Sequence, residues 1–170
     1  MAFPYWEQTV KRANEHGIDQ IALENHGSQL IYNPSTLHRL RNTVGKVIGA
    51  NFDTSHLFWM GGDPILAARE LGDAIYHIHA KDVRIERGLA GIDGVLDTKM
   101  TDRFAERSWN FVALGYGHER HWWSEFFAVV NMLGYDGPIS LENEDAAMPA
   151  LTAVRKSTQL LKETIPRDFE

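Results

Sequence analysis

The sequence contains no cysteine, which excludes disulfide frameworks, thiolate metal sites and cysteine nucleophiles. Any metal site must therefore be built from oxygen and imidazole ligands. There is also no apolar run close to the roughly 20 residues that a membrane-spanning helix needs. Residues 1–17 mix acidic and basic side chains where a signal peptide has an unbroken apolar stretch. We therefore expect a soluble, cytoplasmic protein that does not bind membranes.

Positive charge is in deficit, because 17 lysines and arginines face 23 aspartates and glutamates, for a net charge of -6. Such a chain has no broad cationic surface for a phosphate backbone, so we expect no nucleic-acid partner. Small neutral or metal-chelated ligands fit this charge balance better. The 170 residues, 44% of them hydrophobic, suffice for one ordinary globular core, and we expect a single domain over residues 1–170.

Helical and strand-like segments alternate along the chain. Glycines such as Gly17, Gly72 and Gly134 follow helical patterns, where they can end a helix. We predict helices at residues 5–15, 34–42, 64–71, 122–133 and 151–164, and strands at 19–24, 46–53, 74–79 and 138–142. The order α(βα)4 predicts a parallel sheet with right-handed crossovers, covered by helices.

Residues 81–121 form an unusually long connection between the third predicted strand and the next helix. Loops of this length are usually functional lids or disordered. The aromatic residues Trp109, Phe111 and Tyr116 favour a packed, lid-like insertion, because disordered segments are poor in such residues. Trp59, Trp109 and Tyr116 are also candidates to stack on the apolar face of a sugar.

Each of the four predicted strands ends in a potential metal ligand: Glu24, Asp53, His79 or Glu142. In a parallel sheet all carboxyl ends of the strands lie at one edge, where ligands bind. Taken alone, Asp53 could instead cap a helix, and His79 could be a hydrogen-bonded core histidine. Together, three carboxylates would repel one another without a cation. The set predicts one divalent ion, and six-coordinate Mn²⁺, Mg²⁺ or Co²⁺ suits it better than a closed structural zinc site.

Five short motifs resemble the xylose-isomerase-like TIM barrels, a family that includes sugar phosphate isomerases and epimerases, and they occur in the family's order. The motifs are IALENHG at residues 21–27, NFDTSH at 51–56, HIHAKD at 77–82, LGYGH at 114–118 and GYDGPISLENED at 134–145. The resemblance implies that the chain is the C-terminal half of a (β/α)8 barrel, with four parallel strands, flanking helices and a lid after the third strand.

The resemblance also implies that Glu24, Asp53, His79 and Glu142 bind one metal ion, which can be Mn, Mg, Co or Zn. Glu24 and Glu142 would then be the catalytic residues that exchange a proton with the substrate. The implied activity is a metal-dependent sugar isomerase or epimerase that transfers a proton next to a carbonyl through an enediolate.

Four further residues are candidate substrate contacts. The resemblance implies this role for His56, three residues after Asp53, and makes Asp82 and Arg84 candidates. His118 is added because it lies beside two glycines that permit close approach. Lys81, Arg84 and Arg87 are candidate contacts to a substrate anion, and His77 is expected to pack inside the barrel rather than bind metal.

Two other functions remain open at this point. A dehydratase of polyol ketones in the same family uses the same metal and the same proton removal. Alternatively, the chain is a catalytically silent half-barrel that serves as an interaction module. A related endonuclease activity on nucleic acid conflicts with the acidic charge balance.

The chain is also short for the family it resembles, because a full barrel has about 250 residues. Either the chain is a fragment of a longer product or two copies complete one barrel. A lone half-barrel would expose sheet edges and one apolar strand face. We therefore predict a homodimer or a complementary N-terminal half-barrel as partner, and a sugar or sugar phosphate as the small-molecule ligand.

Overall fold

The computed structural model describes residues 2–167. Its helices are α1 (Ala2–Glu15), α2 (Pro34–Val44), α3 (Thr54–Met60), α4 (Pro64–Leu71), α5 (Arg87–Asp93), α6 (Arg120–Met132) and α7 (Ala150–Thr164). Its strands are β1 (Ile21–Glu24), β2 (Ile48–Asp53), β3 (Ile75–Ala80), β4 (Asp82–Ile85), β5 (Trp109–Val112) and β6 (Ile139–Leu141). Short 3-10 turns occur at Gly72–Ala74 and Thr101–Glu106. Within residues 2–167, no helix combines the length and the apolar character needed to cross a membrane.

Four strands form one parallel sheet in the order β1-β2-β3-β6. This confirms the predicted α/β class with four parallel strands and flanking helices. Neighbouring strands follow one another in sequence, apart from the β4–β5 hairpin that is inserted after β3. All four carboxyl ends therefore lie at one edge of the sheet.

The helices begin where the sequence supplies their caps. Asn33 and Thr36 form a capping box at the start of α2, and Pro34 occupies its first turn. Asp63 accepts hydrogen bonds from two backbone amides at the start of α4, whose predicted limits agree with the structure. Helix α3 was not predicted as a separate element, because its seven residues are too few to show a helical period.

The core lies between the outer face of the sheet and the helices. Phe52 and Ile78 are register partners on that face, and both are fully buried. Helix α6 adds Trp123, Phe126 and Phe127, which are buried as well. Burying each such side chain contributes about 1.5–3 kcal/mol, so this helix anchors the layer behind the site.

The inner face of the sheet is polar, which differs from the apolar face that we expected. Because side chains alternate along each strand, this face carries small or polar residues, namely Ala22, Glu24, Asn51, Asp53, His77, His79 and Ser140. His77 Nε2 lies 2.9 Å from Ser140 Oγ, so this histidine contacts the neighbouring strand β6 on the inner face. The parts of the sheet that lack a pairing partner in the described residues are therefore the outer edges of β1 and β6.

Residues 81–121 are more ordered than a simple loop. Strands β4 and β5 pair as an antiparallel hairpin, and α5 and a 3-10 turn lie between them. Asp97 holds this segment together, since it accepts hydrogen bonds from the backbone amides of Lys99 and Ser108. Trp109 is buried, whereas Tyr116 is 45% exposed, so only part of the predicted aromatic packing is present.

Candidate metal centre

Four side chains meet at the carboxyl edge of the sheet. Glu24 and Asp53 are the last residues of β1 and β2, His79 is the penultimate residue of β3, and Glu142 directly follows β6. One potential ligand atom from each lies within 4.8 Å of all the others. The parallel topology thus brings together residues that are up to 118 positions apart in sequence, counting from Glu24 to Glu142.

The imidazole of His79 faces two carboxylates at once. Its Nδ1 lies 2.9 Å from Glu24 Oε1 and 2.9 Å from Glu142 Oε2. The hydrogen bond between His79 and Glu24 raises the pKa of the histidine and lowers that of the glutamate. One Nδ1–H group can satisfy only one of these oxygens, and Glu142 Oε2 has no hydrogen-bond partner despite its proximity.

Asp53 uses its two oxygens differently. Its Oδ1 accepts hydrogen bonds from the backbone amide of Ser55 at 2.7 Å and from the Ser55 hydroxyl at 2.6 Å, which caps α3. Its Oδ2 is buried and has no hydrogen-bond partner. Burial raises the pKa of Asp53 to about 7, although Lys81 and Ser55 oppose this shift. The helix cap considered from sequence therefore exists, and it leaves one oxygen free to bind a ligand.

These residues fit a divalent cation. Asp53 Oδ2 and Glu142 Oε2 are buried acceptors without donors, an arrangement that costs free energy unless something positive binds them. Carboxylate oxygens and one imidazole nitrogen are the ligands that Mn²⁺, Mg²⁺ and Co²⁺ accept. A cation at this point would also satisfy both carboxylates beside His79 Nδ1, of which one Nδ1–H group can satisfy only one.

Lys81 contacts the cluster, although its sequence pattern indicated only a candidate contact to a substrate anion. Its ammonium group is almost fully buried and donates hydrogen bonds to Glu142 Oε1 and Glu144 Oε1, both at 2.8 Å. It also lies 4.0 Å from the centroid of the Phe111 ring on β5. Burial disfavours the charge of Lys81, but nearby carboxylates outweigh this, and its pKa is raised. The alternation of side chains after His79 is a sequence signal that could have placed Lys81 in the site.

Glu142 shows the effect of this neighbour. Burial is the largest single influence and opposes its ionisation, but the hydrogen bond and charge of Lys81, together with Glu144 and His79, outweigh burial and lower the pKa of Glu142. Glu24 also has a lowered pKa, for which the hydrogen bond from His79 is the main cause. Both glutamates are therefore carboxylates at neutral pH.

His56 borders the cluster. It is buried on α3, and its Nε2 lies 3.6 Å from Asp53 Oδ2. The ring of His26, from the segment after β1, lies 4.0 Å from the His56 ring, and Phe111 packs against His56 in an edge-on geometry, with centroids 5.8 Å apart. Burial lowers the pKa of His56 to about 3, so the imidazole is neutral.

Asp82 and His118 lie together, outside the cluster. Asp82 is fully buried and accepts hydrogen bonds from the amides of Gly115, Gly117 and His118, and from the His118 ring at 2.8 Å. The His118 ring stacks on Phe58 with centroids 3.5 Å apart. Because Phe58 follows His56 by two helical positions, it lies on the opposite side of α3. Gly115 and Gly117 leave room for their backbone amides to approach Asp82.

Arg84 is also separate from the cluster. It lies on β4 and pairs with Glu86, with Nη2 and Oε1 2.6 Å apart. Nearly half of its side chain is exposed. Among the residues that the structure describes, no hydrogen bond or ion pair joins Arg84 to the four candidate ligands.

Comparisons with known sequences agree with this architecture. The family model described as xylose isomerase-like TIM barrel matches residues 2–164. The uncharacterized protein YfiH of Bacillus subtilis (strain 168) is 56% identical over 165 residues, which are 97% of this chain and 53% of that protein. The rhizopine catabolism protein MocC of Rhizobium meliloti is 31% identical over 75 residues, covering 44% of this chain and 23% of that protein. The chain thus spans about half the length of YfiH and less of MocC.

Solved structures share the fold. A xylose isomerase domain protein from Planctomyces limnophilus has a TM-score of 0.61 at 24% identity, covering 93% of this chain and 50% of that chain. A probable 3-DHS dehydratase, AsbF, from Bacillus anthracis has a TM-score of 0.69 at 18% identity, with coverages of 94% and 55%. D-psicose 3-epimerase from Clostridium cellulolyticum H10, solved with D-tagatose, has a TM-score of 0.61 at 17% identity, with coverages of 94% and 55%. The match to half of each chain fits the predicted half-barrel.

Proposed function

Since the chain belongs to the xylose isomerase-like TIM barrel family, we propose that it provides the metal centre of a sugar isomerase or epimerase. The observation that carries this proposal is the four-residue cluster, whose ligand atoms lie within 4.8 Å of one another at the carboxyl edge of the sheet. In this proposal Glu24, Asp53, His79 and Glu142 hold one divalent ion. Mn²⁺, Mg²⁺ and Co²⁺ are the first candidates, and Zn²⁺ is the next.

The proposed reaction moves a proton at the carbon next to a ketose carbonyl. The cation would polarise that carbonyl and stabilise the negative charge of the enediolate. Glu24 and Glu142 are both ionised, so either can accept the proton when the carbon–hydrogen bond breaks and its electron pair enters the enediolate. A proton delivered to the opposite face gives an epimer, and one delivered to the neighbouring carbon gives an isomer.

The second proton transfer needs a protonated partner. When Glu24 is the base of the first step, Glu142 can take up a proton from solvent and deliver it to carbon, while Lys81 Nζ, which donates to Glu142 Oε1 at 2.8 Å, holds the carboxyl group in place. Glu24 then returns the abstracted proton to solvent, which balances the cycle. His56 remains the proposed substrate contact. Asp82, Arg84 and His118 also stay proposed substrate contacts, beyond the four candidate ligands. Asp82 and His118 hold each other at 2.8 Å, and Arg84 is held by Glu86.

A matched pair of variants tests this function. Glu142→Gln removes a proposed ligand and proton carrier, whereas Glu144→Gln changes a glutamate with the same 2.8 Å bond to Lys81 but outside the ligand set. Metal content and epimerisation of ketoses such as D-psicose and D-tagatose should be measured for both. We expect Glu142→Gln to lose turnover and Glu144→Gln to keep most of it. Equal activity in the two variants would contradict the assignment.

Dehydration of a polyol ketone is the second candidate, and Lys81 favours it. A buried ammonium 2.8 Å from Glu142 could protonate a departing hydroxyl after the same proton abstraction. The two reactions are told apart by mass spectrometry of the product, because a dehydratase product is lighter by one water. Bound metal without turnover on either substrate class would favour a silent half-barrel that serves as an interaction module.

We further propose that turnover requires a completed barrel. Within residues 2–167, β1 pairs only with β2 and β6 only with β3, so both edges are open. Beside Glu24, the β1 edge borders a groove of about 260 Å³ that is lined by Trp6, Leu23 and Ile31. A second copy or a complementary N-terminal half-barrel would cover these edges. Sedimentation of the chain at micromolar concentration tests self-association, and a strictly monomeric chain would exclude the homodimer.

A further inference from the structure

We propose that Trp59 is a positioning residue that fixes the tautomer of His56 toward the metal centre. The indole Nε1 of Trp59 donates a hydrogen bond to His56 Nδ1 at 3.3 Å. On the other side of the same ring, His56 Nε2 lies 3.6 Å from the unpartnered Asp53 Oδ2. His56 is buried, so water has little access to either nitrogen.

The donor character of indole decides which nitrogen carries the proton. Indole Nε1–H can only donate, so a bond to His56 Nδ1 requires that this nitrogen be unprotonated. The proton of a neutral imidazole is then on Nε2, which points to Asp53 and to the side of the cluster where substrate oxygens would bind. The other tautomer would place two N–H groups against each other at Trp59 and two lone pairs against each other at Asp53.

Two contacts hold the Trp59 ring in place. It stacks on Trp109 with ring centroids 5.0 Å apart and planes 5° from parallel. Trp109 is fixed in turn by its own indole N–H, which donates to Val95 O at 2.9 Å. At Gly27, a Cβ atom would lie 2.3 Å from the Trp59 ring, so the segment after β1 packs directly against it.

These contacts link the inserted hairpin to the cluster. Trp109 belongs to β5, Trp59 and His56 to α3, and Asp53 to β2. The insertion thus supports the orientation of His56 through the stack of Trp109 on Trp59 and the hydrogen bond from Trp59 to His56. Trp109 itself is not one of the candidate ligands. The further role of His56 Nε2–H, donation to a substrate oxygen, rests on the proposed function. In this proposal Trp59 and Trp109 position His56, and they do not stack on a sugar as the sequence suggested.

Nuclear magnetic resonance of the uniformly ¹⁵N-labelled chain tests the tautomer without substrate or metal. Two-bond ¹H–¹⁵N spectra report which histidine nitrogen is protonated, and loss of signals in His56→Gln identifies the ring. We expect a protonated Nε2, an unprotonated Nδ1, and a ¹⁵N–¹⁵N coupling across the bond to Trp59. A protonated Nδ1 in the unmodified chain would overturn the proposal.

Two aromatic variants then separate the hydrogen bond from packing. Trp59→Phe removes the N–H donor to His56. In contrast, Trp109→Phe makes the outer stacking partner smaller and removes its bond to Val95, but keeps the bond from Trp59 to His56. We expect the His56 Nδ1 resonance to shift toward the value of a free imidazole nitrogen only in Trp59→Phe. If that variant does not fold, benzothienylalanine at position 59 keeps the ring shape and replaces N–H with sulfur. An unshifted Nδ1 resonance in either form would overturn the proposal.

Measurement of turnover tests whether the Trp59 contact matters for catalysis. With a ketose that the unmodified chain converts in its assembled form, Trp59→Phe should lower kcat on the order of tenfold, the usual effect of an outer-shell contact. Binding of Mn²⁺ should stay unchanged, because no candidate ligand is altered. If the expected tautomer is found but no ketose is converted, the proposed function fails and the positioning assignment stands. If conversion is normal in Trp59→Phe, the positioning role in catalysis is refuted.

Discussion

Metal affinity should fall as pH drops from 8 to 6, and Asp53 sets the size of the change. Burial raises its pKa to about 7 in the metal-free chain, and a ligand carboxylate must lose its proton to bind a cation. A group with this pKa is about 90% ionised at pH 8 and about 10% ionised at pH 6, so affinity should fall about tenfold. His79 adds to the fall, because its pKa is also raised and metal must displace its Nδ1 proton.

Isothermal titration with Mn²⁺ at several pH values measures this effect. Repeating it in buffers with different ionisation enthalpies counts the protons released, which should approach one or more near pH 6. Asp53→Asn is the matched control, since the amide oxygen can still accept the Ser55 hydrogen bonds that cap α3. This variant should bind Mn²⁺ more weakly and show a shallower dependence on pH. An affinity that is constant between pH 6 and 8 in the unmodified chain would refute the reasoning.

Stability without metal should respond in the opposite direction. The pKa of Asp53 is 3.8 in its unperturbed state and about 7 when folded, so the folded chain holds one more proton between these values. Its contribution to the free energy of unfolding therefore falls as pH rises from about 4 to about 7. The increase in Tm on adding Mn²⁺ should accordingly be larger at pH 8 than at pH 6.

Three further substitutions test other parts of the account. Gly117→Ala should destabilise the fold by more than about 1 kcal/mol, as for an overpacked site, because its Cβ would lie 2.2 Å from Val83 O. Urea titration measures this loss. Gly88→Ala is the control, because its Cβ meets open space. Asp82→Asn should cost about 1–3 kcal/mol and expose the amides of residues 115–118 to hydrogen exchange, because a buried carboxylate that anchors them is lost. Lys81→Met should keep one bound cation per chain but lose turnover, as measured by elemental analysis and ketose conversion, because Glu142 loses the hydrogen bond that holds it in place and keeps it ionised.

The parallel sheet and the four candidate ligands at the ends of its strands were predictable because both depend on local sequence. Prolines and glycines mark the helices between short apolar strands, as at Pro64 and Gly72. Parallel topology then places the ends of the strands together, whatever their separation in sequence. No side-chain geometry was needed to bring Glu24 and Glu142 to the same edge.

The insertion was less predictable because its contacts are not local. Strands β4 and β5 pair across 23 intervening residues, counted between Ile85 and Trp109, and no tight turn signals the hairpin. The indole bond from Trp59 to His56 likewise depends on the short helix α3, which has no clear helical period. For His118, the nearby glycines suggested a ligand site, but sequence alone does not show that their amides bind Asp82.

The central claim is that one divalent cation binds between Glu24, Asp53, His79 and Glu142. Equilibrium dialysis against Mn²⁺ at pH 8, followed by elemental analysis, measures it directly in the unmodified chain, Glu142→Gln and Glu144→Gln. We predict one Mn²⁺ per chain in the unmodified protein and in Glu144→Gln, and much less in Glu142→Gln. A metal-free chain, or equal binding in all three proteins, would contradict it.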